Sequence, residues 1–279
     1  MIRSHRMWAA AVALAAAQGA AHAAIAPEAA RELARKSGLW TQLDSLVPQV
    51  RAGMVAGLQR STTQVSAEQR NKMLDCVRIA FAGEVLQPTA LDAIVGTLQP
   101  GDVAPLQAWY DSPLGRRIAT IEATSSQETP DPQERLKRGG EALSHASEGR
   151  RASLQAIVTE THSVDMMADT LIGMALAVQQ SLASIEPAGS GESLAELKAN
   201  FGSRRPALVA HYAQISVPAY AFTYLSLSDD ELKQYADYLG SPAAMSFSDG
   251  TMRGVARAMT AGSVALGRCL KATDAPKAP

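Results

Sequence analysis

The sequence predicts an all-α protein made of two repeated multi-helix units that follow a signal peptide. Alanine and leucine are abundant, aromatic residues make up only 5% of the chain, and runs of β-branched residues are absent. This composition favours helices over strands. Glycine and proline lie mainly between segments of helical periodicity rather than at hairpin spacing, which supports the same fold class. A Ser-Pro pair also recurs in a similar context in each half of the chain.

Residues 1–23 have the pattern of a secretory signal peptide. Arg3 and Arg6 give a positive start, residues 8–17 form an apolar run, and Ala-His-Ala at residues 21–23 supplies small residues for a signal peptidase. We therefore expect cleavage after Ala23 and a periplasmic product without a transmembrane segment. The alternative is an uncleaved membrane anchor, although the run is shorter than the roughly 20 residues that span a bilayer.

The charge of the predicted mature chain excludes some classes of partner. The formal net charge falls from −1 to −3 when residues 1–23 are removed, because that segment holds two arginines and no acid. Nucleic acid binding requires a basic face, so we expect no nucleic acid partner. The weak charge also gives no support for binding an anionic membrane surface.

The chain has two cysteines, Cys76 and Cys269. In an oxidising compartment such a pair is a disulfide candidate. The bond would close a loop of nearly 200 residues and contribute about 5 kcal/mol in the chain-entropy account. The alternative is two separate buried thiols that behave as small apolar side chains.

Residues 24–124 form the first predicted helical unit. Pro27 suits the first turn of a helix, because its missing N–H has no partner there. A second helix over residues 39–58 is expected to bend at Pro48. Ser66, followed three residues later by glutamine, predicts a capping box at the start of another helix.

The first unit also contains a helix corner. We expect Asp102 to cap a helix that ends at Trp109 and Tyr110. Ser112 and Pro113 then follow as an N-cap and a proline at the first helical position of the next helix. Capping accounts for this serine, so we do not interpret it as a nucleophile.

Residues 125–149 form the predicted linker, since glycine, proline and charged residues concentrate there. The second unit spans residues 150–270, and a disordered tail is expected over residues 271–279. The predicted helices of this unit cover residues 150–185, 192–201, 205–215 and 217–226, with another opened by a capping box at Ser228. Gly250 and Gly254 are expected to interrupt the last helix.

The two halves align when the chain is shifted on itself by 129 residues. Corresponding pairs include Trp109 and Tyr238, Ser112 and Ser241, and Pro113 and Pro242. Apolar and capping positions keep register across this region, which favours an internal duplication. The alternative is that any two amphipathic helices with a capped proline corner would align as well. The predicted corner residues are Ser112, Pro113, Gly115, Ser241 and Pro242.

Residues 109–115, Trp-Tyr-Asp-Ser-Pro-Leu-Gly, together with Asp102, resemble the corner of a family of bacterial exported domains of unknown function, the DUF2059-like family. The second copy departs from that pattern, with Leu239 in place of tyrosine and Ala244 in place of glycine. The resemblance implies an all-helical exported domain and no known activity.

Aromatic residues at the ends of the two corner helices are the candidate lining of a ligand groove. They are Trp109, Tyr110, Tyr235 and Tyr238. Aromatic side chains with a polar tip often line binding grooves. The alternative is that they form a wedge between packed helices.

The sequence contains no recognisable catalytic constellation. His145, His162 and His211 stand apart and outside known catalytic motifs. We therefore expect a protein that is not an enzyme and has no metal or cofactor: a periplasmic binding or interaction module for a protein, peptide or lipid-like ligand. The alternative is a copper or redox role for the Met and His residues or the cysteine pair. The methionines concerned are Met166, Met167, Met174, Met245, Met252 and Met259.

Overall fold

The computed structural model describes residues 24–45, 47–48, 50–52, 54–55, 66–128, 131–183 and 194–274. Over these residues the protein is all-α, as predicted, with twelve helices whose bounds are described and no strand. The helices are α1 Pro27–Lys36, α2 Leu39–Asp44, α3 Ala67–Ala80, α4 Gly83–Val95, α5 Pro100–Asp111, α6 Pro113–Glu128, α7 Pro132–Ser144, α8 Glu148–Glu160, α9 Ser163–Ala183, α10 Leu194–Thr223, α11 Asp229–Leu239 and α12 Pro242–Asp274. The predicted signal peptide lies outside the described residues.

Local capping signals place several helix starts where the sequence predicts them. Pro27 begins α1, and the Ser66 and Ser228 side chains each accept a backbone N–H in a capping box. The expected cap at Asp102 is wrong in detail. Helix α5 begins at Pro100, and the Asp102 carboxylate accepts the backbone N–H of Gln99 at 2.8 Å.

Two predicted helix divisions in the second half are wrong. The helix expected over residues 150–185 ends at Glu160, because His162 adopts a left-handed backbone with φ 48° before α9 begins. The three helices expected between residues 192 and 226 form one helix, α10, with Pro206 and Pro218 inside it. Packing of α10 against α7 and α9 stabilises that continuous helix.

The described part of the region predicted as a linker, residues 125–128 and 131–149, is packed structure. It contains the end of α6, the whole of α7 and the start of α8. Helix α7 lies against α10 so closely that a Cβ atom on Gly139 would collide with the carbonyl of Pro218. Gly139, one of the glycines that favoured a linker in the sequence, therefore permits close helix packing.

Helix α12 is continuous through Gly250 and Gly254, contrary to the expected interruption, and it includes residues 271–274 of the predicted tail. Residues 275–279 lie outside the described part. A Cβ atom on Gly254 would stand 2.8 Å from the carbonyl oxygen of Ala90, so the missing side chain lets α12 approach α4. A glycine inside a helix lowers its stability, and the tight contact of α12 with α4 offsets that cost.

The packing does not follow the predicted division into a first and a second unit. One core joins α1 to α5 with α12, and its buried residues include Leu33, Leu86 and Met259. The other joins α6, α8, α11 and the end of α10, around Ile118, Leu154 and Leu232. Each core thus takes residues from both predicted units. Within the described residues, no helix has the length and apolar character needed to cross a bilayer.

Candidate ligand cavity

A cavity of about 460 Å³ lies where the two cores meet. This volume is in the range of small-molecule sites. Helices α2, α6, α8, α11 and α12 and the adjoining ends of α5, α9 and α10 contribute its walls. Five tyrosines and Glu122 belong to its polar lining, together with several serines and threonines; the tyrosines are Tyr110, Tyr220, Tyr224, Tyr235 and Tyr238. The apolar lining includes Leu39, Ile157, Leu239, Phe247 and Met252.

Helix α11 supplies one aromatic wall. Tyr235 and Tyr238 lie three residues apart and therefore on the same helix face. Tyr110, from the end of α5, meets Tyr238 edge to face with ring centroids 6.4 Å apart. Tyr224 meets Tyr235 in the same way at 5.6 Å. Edge-to-face pairs fix ring orientation, so these tyrosines form a pre-arranged wall.

Trp109 supports that wall from behind. Its indole stacks on the ring of Tyr238 with centroids 4.0 Å apart and planes inclined by 7°. It also lies parallel to Tyr235 at 5.9 Å. The four groove candidates therefore lie together, but their roles differ: Tyr110, Tyr235 and Tyr238 line the cavity, and Trp109 holds two of them in place.

Among the described residues of the cavity lining, Glu122 is the one carboxyl group. The hydroxyls of Tyr224 and Tyr235 both donate to its Oε1 atom, each at 2.6 Å. Among the described residues, no lysine, arginine or histidine lies within ion-pair distance of this carboxylate. Burial raises the pKa of Glu122 above its ordinary value, although the two tyrosine hydroxyls partly lower it.

Three buried hydroxyls of cavity-lining residues make no hydrogen bond of ordinary geometry among the described residues. They are Ser163 Oγ, Tyr238 OH and Thr251 Oγ1. Two of them still interact with a neighbouring hydroxyl, Tyr238 with Tyr110 and Ser163 with Tyr220. Burial also raises the pKa of the Tyr238 hydroxyl. All three atoms are closed off from solvent, so they belong to the packed wall and not to its open surface.

The turn between α8 and α9 positions two of the polar lining residues. Thr161 ends α8 and donates its hydroxyl to the carbonyl of Ile157 at 2.7 Å. His162, with its positive φ, is exposed, while Thr161 and Ser163 on either side of it both line the cavity. A positive φ at a residue other than glycine is uncommon and often occurs at functional sites. Here it occurs in the turn that places Thr161 and Ser163 in the cavity lining.

The two Ser-Pro corners have parallel local geometry. The Ser112 hydroxyl accepts the N–H of Gly115 at 2.9 Å, and the Ser241 hydroxyl accepts the N–H of Ala244 at 3.3 Å. Both serines therefore cap the helices that begin at Pro113 and Pro242. A Cβ atom on Gly115 would collide with the carbonyl of Trp109, which explains why this corner needs glycine. The duplication itself stays a prediction.

The cysteine pair is bonded. Cys76 in α3 and Cys269 in α12 form a disulfide with Cα atoms 5.6 Å apart. The sequence left two free thiols open as an alternative, and the structure decides in favour of the bond. The disulfide ties α12 to the first core, away from the cavity lining, so it stabilises one wall of the site indirectly.

The methionines of the copper alternative lie in different environments. Met259 is in the first core and Met252 lines the cavity, but Met167 and Met245 are 46% and 37% exposed. Core packing thus explains only part of this set, and the Met174 side chain lies outside the described residues. In the described part of the chain, no three His, Cys, Asp or Glu side chains converge as a metal-ligand group.

Sequence reasoning missed Glu122, Tyr220 and Tyr224. A signal for Glu122 was present, because it falls on the helical stripe of Leu114 and Ile118. An acid on an apolar helix face is an anomaly that points to a site. Tyr220 and Tyr224 share the four-residue spacing of one helix face, but only the fold brings that face to α11.

Comparisons of the chain with protein-family models, with curated proteins and with solved structures find no match. The resemblance of residues 109–115 to the exported domain family therefore stays a prediction, and the functional argument depends on the cavity.

Proposed function

We propose that this protein is an exported, non-catalytic binding module of the cell envelope and that the tyrosine-lined cavity holds its ligand. The carrying observation is that one cavity of about 460 Å³ is lined by five tyrosines and by the Glu122 carboxylate, which no described cation pairs with. A packed core would leave neither that volume nor a carboxylate without a counter-ion. The mixed polar and apolar lining fits a small amphipathic molecule. Among the expected partners, the cavity therefore favours a lipid-like ligand over a protein or a peptide.

We propose binding and not catalysis because the corner serines and the tyrosine hydroxyls beside Glu122 already make hydrogen bonds within the protein. The corner serines cap helices, and the two tyrosine hydroxyls nearest Glu122 donate to it. A nucleophile would need a base within hydrogen-bond reach. The described lining contains no histidine or lysine, and its candidate base, Glu122, accepts from tyrosine hydroxyls whose rings belong to the packed aromatic wall.

Native mass spectrometry of protein purified from periplasm tests this function. We expect a bound small molecule on the wild-type protein and its loss from Ser248→Leu, because Ser248 lines the cavity and leucine would fill part of it. Ser203→Leu is the matched control, since Ser203 is exposed on α10 and away from the lining. A ligand retained equally by both variants, or no ligand from any growth condition, would overturn the proposal.

The same preparation tests export. Cleavage after Ala23 predicts that the periplasmic protein begins with Ala24. Intact mass measurement decides between that product and the full-length chain. Recovery of the uncleaved chain in the membrane fraction would support the anchor alternative and remove the periplasmic part of the proposal.

A further inference from the structure

We infer that the cavity ligand is an organic ammonium ion with an apolar body, bound with its cationic group between Glu122 and the tyrosine rings. This inference deepens the proposed function and rests on it. It commits the site to one charge class, where the binding proposal alone would accept a neutral or an anionic molecule equally.

The first argument is charge. Glu122 is half-buried in the cavity wall, yet no described cation pairs with it, and its Oε2 atom accepts no hydrogen bond from any described residue. Carboxyl groups with these surroundings are rare, because withdrawing their charge from water is unfavourable unless a partner compensates it. A ligand cation is the partner that this site lacks, since the tyrosine hydroxyls already occupy Oε1.

The second argument is the shape and chemistry of the walls. The rings of Tyr220, Tyr224 and Tyr235 follow one another at centroid distances of 5.8 and 5.6 Å. Aromatic faces carry negative quadrupolar potential and attract ammonium groups, especially where water is excluded. A cation in this cavity is therefore attracted both by the charge of the carboxylate and by the faces of the aromatic rings.

The third argument concerns the rest of the ligand. The cavity has room for about 15 water molecules at roughly 30 Å³ each. That is more than an ammonium group requires. Leu39, Ile157 and Phe247 line the remaining wall. The ligand class is thus an amphipathic amine rather than an inorganic cation.

Three probes of equal chain length separate the charge classes: n-octylammonium, 1-octanol and n-octanoate. Isothermal titration at neutral pH should show n-octylammonium binding at least about tenfold tighter than 1-octanol, and n-octanoate binding most weakly. Comparable affinities for the ammonium and the alcohol would overturn the ammonium inference while leaving the binding function intact. No binding of any probe would count against the cavity as a site for amphipathic ligands.

Glu122→Gln keeps the size of the side chain and an oxygen that accepts from Tyr224 and Tyr235. We expect it to abolish the preference for n-octylammonium over 1-octanol, because the loss of the negative charge weakens n-octylammonium binding more than 1-octanol binding. Glu141→Gln, at an exposed site on α7, is the matched control and should behave as wild type.

A measurement on the wild-type protein gives an independent check. The ammonium preference should increase as pH rises, because only the ionised form of Glu122 attracts the cation, and it should be independent of pH in Glu122→Gln. A preference that survives the substitution would assign cation binding to another group and overturn the inference.

Discussion

Trp109 and Tyr238, which occupy corresponding positions 129 residues apart in the sequence, stack on each other with ring centroids 4.0 Å apart. Each lies just before a Ser-Pro corner, and their contact joins α5 to α11. The stack places one face of Tyr238 against Trp109, and Tyr238 itself lines the cavity. The two corners are therefore linked directly, and the aromatic wall of the candidate site depends on that link.

A double-mutant cycle should measure this stack. Stacked aromatic pairs contribute about 1 kcal/mol beyond the area they bury, so Trp109→Leu and Tyr238→Leu should show a coupling free energy of that size in urea unfolding. A second cycle pairs Trp109→Leu with Tyr212→Leu, because Tyr212 makes its described ring contact with His211 instead. Its coupling should be near zero. Equal coupling in the two cycles would contradict the stack.

The tyrosine hydroxyls should differ in their contributions to stability. Tyr235→Phe removes a hydrogen bond to a carboxylate and should lower the free energy of unfolding by about 1.5 kcal/mol. Tyr238→Phe removes a buried hydroxyl that interacts with Tyr110 but makes no hydrogen bond of ordinary geometry, so it should stay within about 0.5 kcal/mol of wild type. Chemical denaturation of both variants checks the difference. An equal loss would show that the Tyr238 hydroxyl is also paired.

The raised pKa of Glu122 predicts a pH-dependent loss of stability. A carboxyl whose pKa is higher in the folded state binds protons more tightly there, so folding is most favoured below the ordinary value of 4.5 and weakens as pH rises towards the folded pKa. Glu122→Gln should remove this loss. Its stability relative to wild type should increase with pH in urea unfolding, from 4.5 upward.

That comparison isolates Glu122 from other carboxyl groups. The pKa values of Glu68, Asp229 and Glu231 are lowered, by Lys72, by Ser147 and by the Ser228 backbone respectively. They contribute stability that is lost as pH falls, which is the opposite sign. Because they are common to both proteins, they cancel in the difference. A difference that stays constant with pH would contradict the assignment to Glu122.

The adjacent glycines of α7 provide a matched test of its packing on α10. Gly139→Ala should lower the free energy of unfolding by about 2 kcal/mol or more, because the new methyl group would meet the carbonyl of Pro218. Gly140 has no neighbour within 4 Å, so Gly140→Ala should raise stability by up to about 1 kcal/mol through helix propensity. If both substitutions stabilised the protein, α7 would not pack as described.

Removal of the disulfide should have a large effect. The bond connects residues 193 positions apart, so Cys76→Ala with Cys269→Ala should lower the free energy of unfolding by about 5 kcal/mol through the entropy of the unfolded chain. Guanidinium unfolding with and without reductant checks this. The double variant should not respond to reductant, whereas wild type should. A wild-type protein indifferent to reductant would lack the bond.

Much of the helical framework could be predicted because its signals are local. The capping boxes at Ser66 and Ser228 and the serine caps at both corners depend on hydrogen bonds that span three residues. Predictions failed where tertiary packing outweighs propensity. Pro218 stays inside α10 and Gly254 inside α12, because each helix packs closely against a neighbour there.

The candidate site divides in the same way. The sequence identified Tyr110, Tyr235 and Tyr238, because they accompany the corners, and it restricted any disulfide to Cys76 and Cys269. Glu122 lay on an apolar helix stripe, but only the fold shows that Tyr224 and Tyr235 donate to it.

By itself, the sequence determined the all-α class, the main helix starts and the sole pair of cysteines. Composition can be read directly from the sequence, and periodicity and capping depend only on residues that are close together in it. Only the tertiary structure decided that the cysteines bond, that residues 125–149 pack as helices, and that the two corners meet at a cavity. The physical reason is that a cavity is formed by the surfaces of helices that are distant in sequence. Interactions between residues close in sequence do not determine which of these surfaces face each other.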